Sequence, residues 1–484
     1  MLSSILLSLA ISTTPNASGA ARLLTTASTI EASSSAPLRQ KIKAQAWLAV
    51  TTASLQGDPA QGPPPHAITS ASLLTEWGVT CLEAASSLPN SPATISYAFA
   101  QAEESIRLLA TDDPPSAARV CVLAGELAFT LNKTKRARSF AIHAGELVEW
   151  RANPIGSGNG SLAMLLASIQ ECDLRLRLGE GVPASHRAQV AAAAATQPAC
   201  AATFEELLNN TTFDATESAA RLLYELHATG SAEAATQLVA RCPAAKEFPE
   251  LQLLLTQILM LGGDLEGGYA MLGGKDLIDN LQSGDRAQIL LAQTIGIARS
   301  GELVAARDAI ADIGGIDRKF FAAIEIDSRL LDRGEIEPSE VLAGFTTLRS
   351  VRTGGLDPFI ASVATHPSRL DRVAQAAVAS GQWDLLGTLL KPLFQAKGQS
   401  GDDWLEQRIA FLARTLSRTN TQLPAAWSAM IAQVSALTRV DSQVEAICAI
   451  AAWWHAAFGD APLAEEMQAA LISTLEAIAL EERP

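Results

Sequence analysis

The segment Asp402-Asp403-Trp404-Leu405-Glu406 puts three carboxylates within five positions. Acids spaced this way can hold magnesium and, through it, a diphosphate, if they line the inner wall of a helical cavity. Gly398, Gln399, Ser400 and Gly401 come just before them. That places the acids in the first turn of a helix, where negative charge complements the macrodipole and caps free N–H groups. Capping is therefore the expected role. Asp112-Asp113 before Pro114-Pro115 reads the same way, because proline suits a first helical turn. Gly268 to Lys275, GYAMLGGK, has the glycines and lysine of a phosphate-cradling loop. Its glycine spacing is off by one, and Asp276 stands where Ser or Thr would reach magnesium. A turn between helices is expected there.

The six histidines are His66, His143, His186, His227, His366 and His455. His143 and Glu146 share an i, i+3 face, as ligands in a di-metal bundle do, but they lack companions and read as a surface pair. The cysteines are Cys81, Cys121, Cys172, Cys200, Cys242 and Cys448, none in a C-x-x-C pair, so zinc and redox motifs are not indicated. Each reads as a small buried hydrophobe, with one or two disulfides open if the chain is exported. No catalytic residue, cofactor site or metal site follows from these positions.

Tryptophan is the conspicuous side chain, at eight copies in a chain only 5% aromatic. Trp383, Trp404, Trp427, Trp453 and Trp454 all lie in the last part of the sequence. Tryptophan anchors binding surfaces and also wedges helices apart. Adjacent Trp453 and Trp454 point about 100° apart on a helix. These five, with His455 beside them, are the candidate groove or partner-binding residues.

The elements that must carry these residues are helices. Nearly half the chain is hydrophobic and rich in Ala and Leu, which favours helix over sheet. No stretch alternates polar and apolar residues for more than a few positions. The net charge of −15 disfavours nucleic-acid binding and anionic membranes. Ile5 to Ile11, followed by Ser18-Gly19-Ala20, resembles a secretory signal peptide over residues 1–20. That implies export to a periplasmic or extracellular setting, although no Lys or Arg precedes the apolar run. The run is too short to span a bilayer, which needs about 20 apolar residues. Residues 21–36, rich in Ser, Thr and Ala, read as a flexible lead-in.

From about residue 37 onward, apolar-periodic helices end at a Gly and a second helix follows. The N-terminal part, 37–219, reads as irregular helices near 38–55, 68–87, 92–110, 115–131, 135–151, 161–177 and 184–196. Over 220–484 the turns are regular: Gly230, Gly263, Gly301, Gly334, Gly381 and Gly459. Their spacings are 33, 38, 33, 47 and 78 residues, the last dividing evenly at Asn420, and periods in the thirties and forties mark helical-pair repeats. In the clearest unit Leu290, Ile297 and Ala298 face inward before Gly301, and Leu303, Ala306, Ile310 and Ile313 after it.

A turn Gly with a small residue five positions later resembles the tetratricopeptide pattern. Gly230/Ala235, Gly263/Gly268, Gly301/Ala306, Gly334/Ser339 and Gly459/Ala464 match it; Gly381/Leu386 departs. The early-helix Trp, the Tyr and the closing Pro of that family are mostly missing. The resemblance implies an all-α, right-handed α-solenoid of antiparallel helix pairs, whose groove binds a protein or peptide without catalysis. Two other outcomes are kept in view. One is a helical-toroid enzyme, a carbohydrate lyase or hydrolase, in which the chain closes on itself. The other is a structural subunit that self-associates, for instance as a homodimer. An open array keeps its two ends apart.

Overall fold

The computed structural model describes residues 18–56, 68–148, 174, 249–338, 340, 367–380, 401–419 and 423–481. Every regular element among them is helical. The first are α1 (Gly19–Ser33), α2 (Leu38–Gln56), α3 (Ala71–Ser87), α4 (Pro92–Asp112), α5 (Pro114–Thr130) and α6 (Thr134–Val148). Next come α7 (Pro249–Leu261), α8 (Leu265–Leu272), α9 (Ser283–Ser300), α10 (Leu303–Ala309), α11 (Ile316–Arg333) and α12 (Pro367–Ala379). The last are α13 (Gly401–Arg418), α14 (Pro424–Gln433), α15 (Val440–Phe458) and α16 (Glu465–Glu481). Helices α2 to α6 lie where the apolar periodicity places them. The expected helices 161–177 and 184–196, and the turns at Gly230 and Gly381, lie outside the described residues.

The helix boundaries follow from local chemistry. Ser91 caps α4 by accepting the Thr94 N–H at 3.1 Å, and Pro92 starts the helix. Asp113 caps α5 by accepting the Ser116 N–H at 3.3 Å, ahead of Pro114 and Pro115. The acid pair at 112–113 is thus a helix boundary, as its proline neighbours imply. Beyond α5, Asn132 takes a left-handed φ of 57°, and the Lys133 N–H closes back on the Ala128 carbonyl at 2.8 Å. Asparagine tolerates that conformation better than most residues.

Two compact units partition the chain: residues 1–140, 383–395 and 399–484 form one, and 141–382 with 396–398 the other. In the first unit, helices from opposite ends of the sequence share a core. Helices α1, α2 and α13 all pack on α15. Residues Val440 to Trp454 of α15 are buried almost without interruption, so this helix is the unit's axis. Alanines allow the close approach: Ala446, Ala449 and Ala451 of α15 and Ala44, Ala46 and Ala53 of α2 are fully buried. Helices α2 to α5 continue outward, each packed on the next. An array with separated ends does not describe this unit.

The reading of 21–36 as a flexible lead-in is corrected by α1. Ser18 caps it, accepting the Ala21 N–H at 3.2 Å, and Leu23, Ala27 and Ile30 bury one face. Its hydroxyls do not break the helix because Thr25, Thr26 and Thr29 donate to carbonyls four residues back. The small residues that resemble a cleavage site are built into the packing. The Gly19 N–H donates to the Ala461 carbonyl at 3.0 Å, and a Cβ at Gly19 would stand 2.8 Å from Leu463 and Trp454 side-chain atoms.

The second unit, by contrast, runs in sequence order. Helix α7 packs on α9, α9 on α11 and α11 on α12, with the short helices α8 and α10 set against them. The turn glycines make this possible. Gly263, Gly301 and Gly334 have φ of 91°, 99° and 67°. In each, the Gly N–H returns to the carbonyl three residues back, and the next N–H to the carbonyl five back. This is the left-handed helix stop that Gly adopts without steric cost. The inward residues of the clearest repeat form one cluster: Ala298, Leu303 and Ala306 are buried with Ile326 and Leu330, and Ile297 and Ile310 pack against them.

Candidate functional site

Asp402 and Glu406 sit in the first turns of α13, but the backbone that Asp402 holds is the one leading into α15. Both carboxylate oxygens of Asp402 accept the Thr438 N–H, at 3.0 and 2.9 Å. The same carboxylate accepts the Thr438 hydroxyl at 3.0 Å and the Arg439 N–H at 2.6 Å. Asp402 is only 3% exposed, so this bonding satisfies a buried charge. Four residues on, Glu406 is buried on the same face of α13, with its Oε2 3.9 Å from Arg439 Nη2.

Arg439 then binds the acidic start of α15. Its Nε lies 3.3 Å from Asp441 Oδ1, and its Nη2 donates to Ser442 Oγ at 2.9 Å. One helical turn beyond Asp441, on the same face, stands Glu445. Across from it, α2 contributes Lys43 and α3 contributes Glu76 and Glu83. Lys43 Nζ is 2.8 Å from Glu76 Oε1, and Arg39 takes the other Glu76 oxygen at 2.7 Å.

The electrostatics of this cluster are uneven. Burial works to raise the Glu76 pKa, but Lys43 and Arg39 outweigh it and hold the carboxyl below its ordinary value. Lys43 is raised for the reciprocal reason: burial opposes its charge, and Glu76 more than offsets that. Glu445 is different. Burial drives its pKa well above the usual carboxylate range, and the neighbouring Glu406, Glu83 and Asp441 charges push it further. Burial also raises Glu83 and Asp441, against the opposing pull of Lys43 on both. Glu83 nevertheless keeps an exposed side chain and Glu445 is half-buried.

The candidate aromatic residues go elsewhere. Trp427 is fully buried and meets Trp454 edge-on at 5.3 Å; Phe458 stacks at an angle on Trp454 at 4.5 Å. Trp454 Nε1 donates to the Ala461 carbonyl at 3.3 Å, and Trp453 Nε1 to the Ser87 carbonyl of α3 at 3.0 Å. The two neighbours therefore diverge as helical geometry requires, each wedged into a different contact. All three are interior and offer no surface to a groove. His455 is half-buried, with Nδ1 3.2 Å from the Gly459 carbonyl. Trp383 and the side chain of Trp404 lie outside the described residues.

Other sequence candidates resolve simply. Gly273 and Gly274 of GYAMLGGK form a left-handed turn after α8, and Lys275 sits over the Tyr269 ring at 5.8 Å. His143 and Glu146 form an exposed pair at 3.4 Å. Cys81, Cys121 and Cys448 are free and buried, and burial pushes the thiols of Cys121 and Cys448 up to about 12. Among the described residues no cluster of three or more His, Cys, Asp or Glu could hold a metal ion. No described helix is long and apolar enough to cross a membrane.

In the second unit, polar ties join successive helices. Gln257 of α7 donates to Gln288 of α9 at 3.0 Å. Arg299 donates to the Leu261 carbonyl at 3.0 Å, and Arg333 reaches the Gly301 carbonyl at 3.5 Å. An arginine near the end of one helix thus satisfies a C-terminal carbonyl of the helix before it, where the macrodipole favours a cation. Glu325, buried on α11, accepts from Arg329 Nε at 2.8 Å and lies 3.6 Å from Arg299.

Sequence reasoning picked out Asp402 and Glu406 but missed Glu83, Asp441 and Glu445. The one available signal was Asp441 and Glu445 at i, i+4 in a largely apolar helix, where acids are costly unless partnered. Searches of protein-family models, curated proteins and solved structures find no match to this chain.

Proposed function

We propose that the chain is a non-catalytic binding scaffold, and that its ordered helical array, α7 to α12, takes a protein or peptide in the manner of tetratricopeptide-like α-solenoids. The observation that supports this is the repeated turn. Gly263, Gly301 and Gly334 share one left-handed geometry, and an arginine tie recurs between successive helices. Repetition of one device along an array builds a continuous face, and such faces bind extended segments. The apolar run Ile5 to Ile11 supports an exported setting. The test is to pan a displayed peptide library on the full chain and follow amide exchange with an enriched peptide bound. Protection of α9, α11 and α12 is expected; a library that yields no saturable binder overturns the reading.

A second reading has its own support in the first unit: a helical enzyme acting on carbohydrate. Helices from the two ends of the sequence share a core there, and Glu445, raised by burial, has Glu406, Glu83 and Asp441 near it. Turnover of a polysaccharide panel by the wild type, abolished in Glu445→Gln, would favour it over the scaffold.

A further inference from the structure

The first turn of α1 is seated in the turn that joins α15 to α16. Ser18 Oγ accepts the Ala21 N–H at 3.2 Å, and the Ser18 carbonyl accepts the Arg22 N–H at 3.1 Å, so the helix starts from Ser18. The Gly19 N–H donates to the Ala461 carbonyl at 3.0 Å. The same carbonyl accepts Trp454 Nε1 at 3.3 Å, which joins α1, α15 and the turn through one oxygen. Arg22 Nη1 donates to Gln468 Oε1 of α16 at 3.0 Å, and Gln468 Nε2 donates to the Leu463 carbonyl at 2.7 Å.

The fit is as close as the bonding. A Cβ at position 19 would stand 2.8 Å from both Leu463 Cδ2 and Trp454 Nε1, and 3.0 Å from the Ala461 carbonyl oxygen. Glycine enters this seat without displacing its neighbours. Ala20 is 1% exposed and Leu23 fully buried, so the chain goes straight from the seat into the core.

Ser18 and Ala20 are also the pair of small residues that a leader peptidase would read, with the cut after Ala20. Hydrolysis there adds water across the Ala20–Ala21 amide, leaving a carboxylate on Ala20 and an ammonium on Ala21. The Ser18 cap, the Gly19 bond and the buried Ala20 methyl would all leave with the leader. The new ammonium would stand at the N-terminus of α1, where the macrodipole opposes a cation. One tripeptide cannot be both the discarded end of a leader and the anchor of this helix.

We infer that Ser18-Gly19-Ala20 belong to the folded protein as the anchor of α1, and that the Ala20–Ala21 bond is not a processing site. Any leader that is removed ends before Ser18.

The experiment expresses the full chain with its own N-terminus in a bacterial host and reads the first residue of the purified protein from its intact mass. A first residue at Ser18 or earlier is expected; one at Gly19 or later overturns the inference. A protein that keeps Met1 keeps the anchor and counts against the exported setting instead, so the two readings separate. Amide exchange then tests the seat itself. A chain beginning at Ala21 should exchange roughly tenfold faster in α1 than one beginning at Ser18, for the lost cap and hydrogen bond. Gly19→Val in the full chain, which keeps both the length and the cap, should also speed exchange in α1. Exchange in α1 that is the same from either start overturns the inference.

Discussion

The carboxylate of Asp402, on the first turn of α13, accepts the backbone N–H of Arg439 at 2.6 Å, at the threshold of α15. It also holds the Thr438 N–H and hydroxyl, so one side chain satisfies three donors at the start of the unit's axial helix. Asp402→Ala would take the protein acceptor from all three, on an exposed Thr438 and a half-buried Arg439. The expected cost is about 1–2 kcal/mol, that of a helix cap, because water reaches the exposed Thr438. Urea denaturation monitored by Trp fluorescence should show the midpoint fall. Asp402→Asn keeps one acceptor and should cost less.

Gly301 and Gly284 offer a matched contrast. Gly301 ends α9 at φ 99°, whereas Gly284 lies in its first turn with open space around it. Ala at 301 must adopt a conformation that L side chains avoid, and should destabilise by about 1–2 kcal/mol. Ala at 284 removes freedom from the unfolded chain at no steric cost, and should stabilise by about 0.5–1 kcal/mol. Thermal unfolding of both variants checks the sign of each.

Much of the fold is legible from local signals. Helices α2 to α6 follow from apolar periodicity, proline starts and caps, all of which act within a few residues. The turns at Gly263, Gly301 and Gly334 follow from glycine alone, because so few residues tolerate their φ. Helix α1 was not legible, since its stability comes from packing on α15 rather than from its Ser- and Thr-rich composition. The cluster around Glu445 was hidden for the same reason. Asp441 is one turn away on α15, but Lys43, Glu83 and Glu406 are scattered along the sequence, and only tertiary packing brings them to Glu445. The tryptophans show the converse error: a conspicuous residue type suggested a surface, and burial of Trp427, Trp453 and Trp454 turned it into core.

Asp327 on α11 is held above its ordinary value, to about 6, by burial, with Arg307 of α10 pulling the other way. An acid raised in the folded state contributes stability below its unfolded pKa of 3.8, and loses it as pH rises through about 6. The second unit should therefore be less stable at pH 7 than at pH 5. Asp327→Asn removes the charge that burial opposes, and should flatten this slope while raising stability at pH 7 by up to about 2 kcal/mol. Urea midpoints for the two proteins between pH 5 and 8 decide it; parallel curves would refute the assignment.

Glu445 makes the sharper pH prediction because its surroundings are mostly acidic. Acting on it are Glu406 from α13, Glu83 from α3, Asp441 one turn earlier on α15, and the cation Lys43 from α2, while Arg439 pairs with Glu406 and Asp441. Burial and the three acids raise its pKa, so the folded unit binds a proton that the unfolded chain releases. That contribution is complete below the unfolded value of 4.5 and is lost as pH climbs through the raised one. A glutamine has nearly the shape and hydrogen bonding of the protonated acid and cannot ionise. Glu445→Gln should thus match the wild type at low pH and exceed it in urea midpoint at pH 8. A smaller slope of the same sign should remain, since Glu83 and Asp441 are raised as well. Because α15 is the helix on which both ends of the chain pack, the destabilised species at high pH should show first as faster amide exchange in α1. Exchange in α1 that is independent of pH, once the intrinsic rate is allowed for, would separate Glu445 from the closure of the unit.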